Sequence, residues 1–397
     1  MSDLYPIKGN EYFYIFGNSG IRPPAEFLFG EFAEETFKIV ASQNIRAVNL
    51  LLAESDFASR GVKLKNSLLA KGISCHIAPI GDDWISTESY FALAGKEKGL
   101  LVCVGEPKFY DLAKKVAKIT KEKLFLVPTD CRTRDILYHD DERKLPDYIL
   151  INQEFFISPK RRYAAESFGE IVSSALDILD YKTAALCRKT KFDGARATLL
   201  SEGINYAVNL NKFSSPAEGL CFAGIKLSLA ENFSDISSFS STDKVADYLG
   251  FFGDSGRGER KYRAFLSLLP LYKLYLLSDI SEFLVPPDFL NALRQTSEWT
   301  GLKEYDLADR FVPTDVKSFE IRKRIKTVVK SSFLKEIEKL EKNLEGFEKT
   351  YSFLYGGRKK LSDFSPSEVK KAIKAAAFST DGNLLAFMKD DGFAEFI

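Results

Sequence analysis

The stretch Leu101–Ile119, LVCVGEPKFYDLAKKVAKI, combines several features of a phosphate-binding loop. A short apolar run ends at Gly105 and an amphipathic helix follows, and the N–H groups at the start of such a helix can face an anion. Pro107 has no N–H to donate, and Glu106 adds a negative charge where the anion would lie. At about 4 Å and an effective dielectric constant of ~20, one like-charge contact costs on the order of 4 kcal/mol before screening, or roughly three powers of ten in affinity.

The same residues also fit an ordinary helix start, because proline is favoured at the first helical position and an acidic side chain there suits the helix dipole. Lys108 is the counter-argument, since its ammonium group can neutralise a bound phosphate. We therefore expect dinucleotide binding at this loop to be lost or much altered, and binding of NAD(P) stays open as the alternative.

Side chains for metal or nucleophilic chemistry are few. The two histidines, His76 and His139, lie in a predicted strand and in the charged turn LYHDDERK, and we interpret both as structural. Cys75 adjoins His76, but neighbours on a strand point to opposite faces, so they do not form a catalytic pair. The five cysteines include no C-x-x-C pair, which argues against a disulfide framework and a zinc finger. The chain has no G-x-S-x-G elbow and no P-loop.

Charge and hydropathy exclude further classes of function. The chain has 56 basic and 55 acidic residues, so no general basic field attracts nucleic acid, and the basic run Arg322–Lys330 is interpreted as a solvated helix face. The most apolar segment, Ala264–Leu277, is too short to span a membrane and contains Pro270 and Lys273. The N-terminus has no secretory pattern. We expect a soluble cytoplasmic protein with no nucleic-acid or membrane partner.

The first 150 residues alternate strand and helix patterns, which predicts an open, mostly parallel sheet with helices on both faces. The predicted strands are Tyr12–Phe16, Ile45–Ala53, Ile73–Ile80, Leu100–Val104 and Lys123–Val127, and the helices between them are Ala25–Gln43, Gly61–Ala70, Thr87–Ala94 and Pro107–Ile119. Ligands of such sheets bind beyond the carboxyl ends of the strands. That rule places Glu54–Asp56, Gly105–Lys108 and Pro128–Arg134 around one crevice.

Helical periodicity dominates from about residue 158. A chain of 397 residues favours two domains, so we expect an α/β domain over residues 1–157 and an all-α domain over 158–397. The predicted helices of the second domain are Arg161–Arg188, Ala195–Leu210, Gly219–Leu229, Asp243–Gly250, Arg260–Leu277, Pro287–Arg294, Val316–Tyr351 and Pro366–Phe378.

Four stretches in this order resemble the superfamily of iron-containing alcohol dehydrogenases, glycerol-1-phosphate dehydrogenases and dehydroquinate synthases. They are LLLAESDF, VCVGEPKFYDLAKKVA, LFLVPTDCRTRD and PDYILINQEFFISPKRRYAAESFGEIVSSALDILDYKTA, within residues 45–190. The last of them leans toward the glycerol-1-phosphate dehydrogenase branch. The resemblance implies a Rossmann-like nucleotide-binding domain joined to a helical metal-binding domain, the dehydroquinate synthase-like architecture.

The resemblance also assigns cofactor-binding positions. Asp56 matches the acidic residue that meets the adenosine ribose, although an acid after a strand is also a common turn or capping residue. Gly105 matches the first glycine of the family's triplet, Glu106 and Pro107 replace the other two, and Lys108 replaces the following serine. Two further positions complete this cofactor set, Asp111 and Thr129.

In the family, the helical domain supplies a carboxylate and two histidines to a metal. Glu170, in Gly169-Glu170, matches the carboxylate. Both histidines of this chain precede residue 150, so the histidine pair is absent and we expect neither zinc nor iron. Glu170 is then either a remnant ligand or a structural residue.

These observations lead to three hypotheses about function. The first is a divergent member of the superfamily without metal-dependent hydride transfer, which binds a phosphorylated or anionic small molecule in an interdomain cleft. The second is an active NAD(P)-dependent oxidoreductase on a polyol phosphate, and the third is a non-catalytic scaffold or partner subunit. Homo-oligomerisation is compatible with all three. The basic residues expected near the cleft are Lys108, Arg132, Arg134, Lys160, Arg161 and Arg162.

Overall fold

The computed structural model describes residues 25–81, 85–94, 97–156, 161–187, 191–213, 215–231, 239–278, 288–312, 319–356 and 364–393. They divide into two compact units: unit 1 takes in the described residues up to 164 together with those of 209–232, and unit 2 takes in those of 165–208 and 233–397. The division near residue 164 lies close to the predicted one at 157. The structure differs for 209–232, which the sequence analysis assigned to the helical domain. The predicted strand Tyr12–Phe16 and the candidate Lys160 lie outside the described residues.

The described residues of unit 1 form a six-stranded sheet in which every pairing is parallel, in the order β1-β6-β5-β4-β2-β3. The strands are β1 Glu26–Leu28, β2 Ala47–Ala53, β3 Ser74–Ile80, β4 Leu100–Gly105, β5 Lys123–Pro128 and β6 Tyr148–Leu150. Every residue of β2 and β4 is buried, as expected for strands covered on both faces. The predicted open parallel sheet is confirmed.

The sheet order reverses at β2, because the chain continues from β2 to β3 on one side and returns to β4 on the other. Register pairs Leu52 with Val104 and Gly105 with Pro128, so the carboxyl ends of β2, β4 and β5 are neighbours. Such a reversal is the usual place for a ligand in an open α/β sheet. The three segments predicted to surround one crevice therefore follow adjacent strands.

Helices account for most of the remaining described residues. The α-helices of five or more residues are α1 Phe32–Ser42, α2 Val62–Ala70, α3 Thr87–Leu93, α4 Pro107–Thr120, α5 Arg161–Leu186, α6 Gly194–Val208, α7 Pro216–Glu231, α8 Ser241–Leu249, α9 Arg257–Leu277, α10 Phe289–Thr300, α11 Glu304–Ala308, α12 Phe319–Arg324, α13 Lys330–Tyr355, α14 Pro366–Phe378 and α15 Leu384–Asp390. None of the helices in the described part of the chain is long and apolar enough to cross a membrane.

Two sequence predictions of helices were wrong in part. The predicted helix Ala25–Gln43 is instead strand β1 followed by α1, because Glu26–Leu28 pairs with β6 and Glu31 then caps the helix by accepting the N–H of Glu34 at 2.9 Å. The predicted helix Val316–Tyr351 contains a π-helical turn at Ile325–Val329, between α12 and α13.

Helices α5 and α9 of unit 2 cross at glycines. A Cβ added to Gly169 would lie 2.4 Å from the carbonyl oxygen of Gly258, and one added to Gly258 would lie 2.0 Å from the carbonyl oxygen of Glu166. No other residue fits at either position without moving a helix backbone. Gly169, which belongs to the motif that resembles the family's metal-binding turn, thus has a packing role here.

The carboxylate of Asp180 on α5 joins three other elements of unit 2. It accepts hydrogen bonds from the first N–H of α8, Ser241 (2.9 Å), the first N–H of α15, Leu384 (3.3 Å), and the Tyr272 hydroxyl of α9 (3.1 Å). Burial raises the pKa of Asp180 to about 7, and the nearby charge of Asp177 adds to that rise against the hydrogen bonds from Ser241 and Tyr272.

A second buried charge network lies beside it. Lys261 is fully buried, with its Nζ 3.0 Å from Asp243 Oδ1 and 3.8 Å from Asp177 Oδ2. The hydroxyls of Ser240 and Thr242 donate to Asp177 Oδ1 at 2.7 and 2.9 Å. Lys261 is thus paired with two carboxylates, and the buried charge of Asp177 is also hydrogen-bonded, which offsets part of the cost of burial.

Candidate functional site

Helix α4 begins directly after the carboxyl end of β4, and N–H groups at its start are hydrogen-bonded within the chain. Glu106 is the extended residue before the helix and Pro107 is its first residue. The Glu106 carbonyl accepts the N–H groups of Phe109 (2.9 Å) and Tyr110 (3.4 Å). A Cβ on Gly105 would lie 3.1 Å from the Cβ of Phe109, so this glycine allows the helix to pack closely on the strand.

The Glu106 carboxylate lies between two cations. Its Oε2 is 2.6 Å from Arg132 Nη2, and its Oε1 is 3.1 Å from Lys108 Nζ. The three side chains are only 23–39% exposed. Two of the basic residues proposed to bind a ligand anion therefore converge at the start of α4, where a carboxylate of the protein itself meets them.

Arg132 is held by further contacts. Its Nε and Nη2 donate to Asp130 Oδ2 at 3.1 and 2.7 Å, and its guanidinium carbon lies 3.4 Å from the centre of the Tyr163 ring. Burial opposes the charge, but the hydrogen bonds and charges of Asp130 and Glu106 raise the pKa of Arg132 above its ordinary value. We call the four charged residues of this site the Glu106 cluster: Glu106, Lys108, Asp130 and Arg132. Together they have no net charge.

The sequence analysis included Asp130 only as part of the crevice segment Pro128–Arg134, and it missed Tyr163. The spacing of Asp130 and Arg132 contained a signal, because an aspartate often accepts the N–H two residues on, as Asp130 does here at 2.8 Å. Nothing in the sequence pattern indicated Tyr163, which follows Arg132 by 31 residues.

Other predicted cofactor residues have partners inside unit 1. Asp56 follows β2 and lies 4.0 Å from Arg60 Nε, one helical turn on. Asp111 on α4 pairs with Arg143 and, at 3.4 Å, with Lys115. The N–H of Thr129 donates to the carbonyl of Gly105 at 3.0 Å and ties the end of β5 to that of β4.

The loop after β5 is anchored to α7. Arg134 Nε donates to Glu231 Oε2 at 2.7 Å in an almost fully buried ion pair. The Thr133 hydroxyl donates to the carbonyl of Cys221 at 2.7 Å, and Gly224 leaves room for Thr133. These contacts explain why residues 209–232 belong to unit 1. The candidates Arg161 and Arg162 are exposed at the start of α5.

The predicted metal ligand Glu170 is half-buried on α5, and its carbonyl accepts the hydroxyls of Ser173 and Ser174. His76 lies on edge strand β3 and His139 lies in the loop before β6, so both histidines belong to unit 1. Within the described residues, no three His, Cys, Asp or Glu side chains are grouped to hold a metal ion. The residues of unit 2 do not fit the carboxylate and histidine pair that the resemblance implies.

Comparison with known proteins gives a likeness in structure only. No family model matches the chain, and no curated protein matches it by sequence. Maleylacetate reductase from Agrobacterium tumefaciens is similar in structure with a TM-score of 0.56 and 11% identity, covering 94% of this chain and 96% of that one. The iron-containing alcohol dehydrogenase from Corynebacterium glutamicum has a TM-score of 0.52 and 15% identity and covers 94% of both chains.

A third similar structure is sulfoacetaldehyde reductase from Bifidobacterium kashiwanohense in complex with NAD⁺, with a TM-score of 0.53, 13% identity, and coverage of 94% of this chain and 96% of that one. The chain thus has the two-domain fold of the iron-containing alcohol dehydrogenase and dehydroquinate synthase-like proteins. The fold expected from the four sequence stretches is confirmed.

Proposed function

We propose that this chain is a divergent protein of the iron-containing alcohol dehydrogenase fold that binds a small phosphorylated or anionic molecule and does not carry out metal-dependent hydride transfer. The observation that carries the proposal is the Glu106 cluster. Lys108 and Arg132 converge on one position at a helix start beside the reversal of the sheet, which is the arrangement that binds anions.

Glu106 is the reason to propose a small ligand rather than a dinucleotide. The esterified pyrophosphate inside a dinucleotide is held by free backbone N–H groups and close approach of the chain, but Pro107 donates none and the Glu106 side chain lies in the way. A compact anion can instead compete with the Glu106 carboxylate for the two cations.

The donor chemistry of unit 2 supports the loss of hydride transfer. A family metal site uses a carboxylate with two histidines, and every histidine of this chain lies in unit 1. Glu170 alone does not complete such a site, so we derive no step that passes through a metal.

An active NAD(P)-dependent oxidoreductase is the second candidate. It is favoured by the similar structure that holds NAD⁺, by Asp56 at the end of β2, and by Lys108 beside the expected pyrophosphate. A non-catalytic scaffold is the third, and it requires that neither NAD(P) nor a small anion binds.

Titration of the protein with NADH and NADPH, followed by fluorescence, separates the first two candidates. We expect no micromolar binding, and micromolar binding would contradict the proposal.

Calorimetric titration with glycerol 1-phosphate and inorganic pyrophosphate separates the first candidate from the third. We expect binding that Lys108→Gln weakens and that Lys63→Gln, an exposed control in the same unit, leaves unchanged. Stoichiometric zinc or iron in the purified protein would refute the loss of the metal.

A further inference from the structure

Unit 2 contains a groove that none of the predicted site residues line. It lies between α10 and α14, and its volume is about 440 Å³, within the range of small-molecule sites. Ala292, Thr296 and Trp299 line it from α10, and Lys371, Lys374 and Ala375 line it from α14. The alanines that face the groove from both helices leave it open, because their side chains are too short to fill it.

Trp299 gives the groove a fixed aromatic wall. Its ring is stacked on Phe252, with centroids 4.6 Å apart and planes at 15°, and the rings of Tyr248 and Phe251 meet it at 6.0 and 6.2 Å. Trp299 is only half-buried despite these three neighbours. An aromatic ring that is already held in place loses little conformational entropy when a ligand stacks on it.

The opposite wall carries positive charge. Lys371 and Lys374 are one helical turn apart on α14 and both line the groove, whereas Glu298 is the acidic residue among the lining side chains. The lining residues therefore have a net charge of +1. The amide of Gln295 adds hydrogen-bonding capacity.

We propose that this groove binds a planar aromatic molecule that carries an anionic group, with Trp299 as the stacking surface and Lys371 and Lys374 as the contacts for the anion. The proposal does not depend on the Glu106 cluster, because every residue in it belongs to unit 2.

Trp299 itself provides the test, because the chain has two tryptophans and Trp84→Phe leaves it as the only one. We expect AMP to quench its fluorescence saturably, adenosine to bind about tenfold more weakly, and inorganic phosphate to cause no quenching. These probes separate the contribution of the ring from that of the anion. Lack of saturable quenching by AMP, or equal affinities for AMP and adenosine, would overturn the proposal.

Variants in the same background test the role of the lysines. The double substitution Lys371→Gln and Lys374→Gln is expected to raise the Kd for AMP about tenfold and to leave that for adenosine unchanged. Lys370→Gln, on the same helix but outside the groove lining, is the control and should have little effect. An equal loss of AMP affinity in Lys370→Gln would show a general charge effect and refute the site. Lys108→Gln should leave the Trp299 signal unchanged, whether or not the proposed function is correct.

Discussion

Replacing Glu106 by glutamine removes the carboxylate that meets Lys108 and Arg132. The side chain keeps its size, so the packing at the start of α4 should persist. The Glu106 cluster changes from no net charge to +1, and an incoming anion no longer meets a like charge. We expect Glu106→Gln to bind inorganic pyrophosphate more tightly than the unaltered protein does.

The size of the gain follows from the geometry. At about 4 Å and an effective dielectric constant of ~20, removal of one like-charge contact is worth on the order of 4 kcal/mol before screening. Glu106 is 24% exposed, and its charge is already partly offset by two cations at 2.6 and 3.1 Å. We therefore expect roughly 1.4–2.8 kcal/mol, which is about a 10- to 100-fold lower Kd.

Isothermal titration calorimetry at low and high salt measures this change. The gain should shrink at high salt, because the Debye length falls from about 10 Å at 0.1 M to about 3 Å at 1 M. Glu142→Gln, an exposed acid in the loop before β6, is the matched control for net charge. An unchanged or higher Kd in Glu106→Gln, or an equal gain in the control, would refute the idea that Glu106 competes with the ligand.

Three further predictions concern stability and use denaturant unfolding. The pKa of Asp180 is raised in the folded protein, so its contribution to the free energy of unfolding is complete below the unfolded pKa of about 4 and is lost as the pH rises toward 7. Across this pH range the free energy of unfolding of the unaltered protein should fall by up to about 4 kcal/mol relative to that of Asp180→Asn. Parallel pH profiles of the two proteins would contradict this prediction. Gly258→Ala should destabilise unit 2 by about 1–3 kcal/mol, because the added Cβ would meet the backbone of α5. The control Gly346→Ala, which has open space around it, should stabilise α13 by roughly 0.5–1 kcal/mol. Similar effects of the two substitutions would refute the close helix crossing. Arg134→Met should cost about 3–5 kcal/mol by removing the cation that lies 2.7 Å from the buried Glu231 carboxylate. Glu231→Leu in the same chain should restore much of this loss, and no rescue would argue against the ion pair.

The central strands could be predicted from the sequence because they are buried on both faces. β2, β4 and β5 are continuous apolar runs, and their observed ends differ from the predicted ends by at most two residues. β1 was missed because it has only three residues and directly precedes α1, so its apolar residues continued the helical spacing.

The contacts of the candidate site were harder to predict. The sequence placed Glu106, Lys108 and Arg132 around one crevice, as an obstacle and as two ligand cations, but it did not predict that the two cations contact Glu106. Arg132 meets Glu106 across 26 residues because β4 and β5 are neighbours, and no local pattern encodes that pairing. The place of α7 was missed for the same reason, since the buried pair of Arg134 and Glu231 spans 97 residues.

The carboxylate of Asp180 has a consequence for how unit 2 opens. One side chain binds the first amide of α8 and the first amide of α15, which are far apart in the chain. When the Asp180 side chain moves out of this position, both amide N–H groups lose the same hydrogen-bond acceptor. Hydrogen–deuterium exchange at Ser241 and Leu384 should then follow a common opening event, so that the two helix starts act as one cooperative unit.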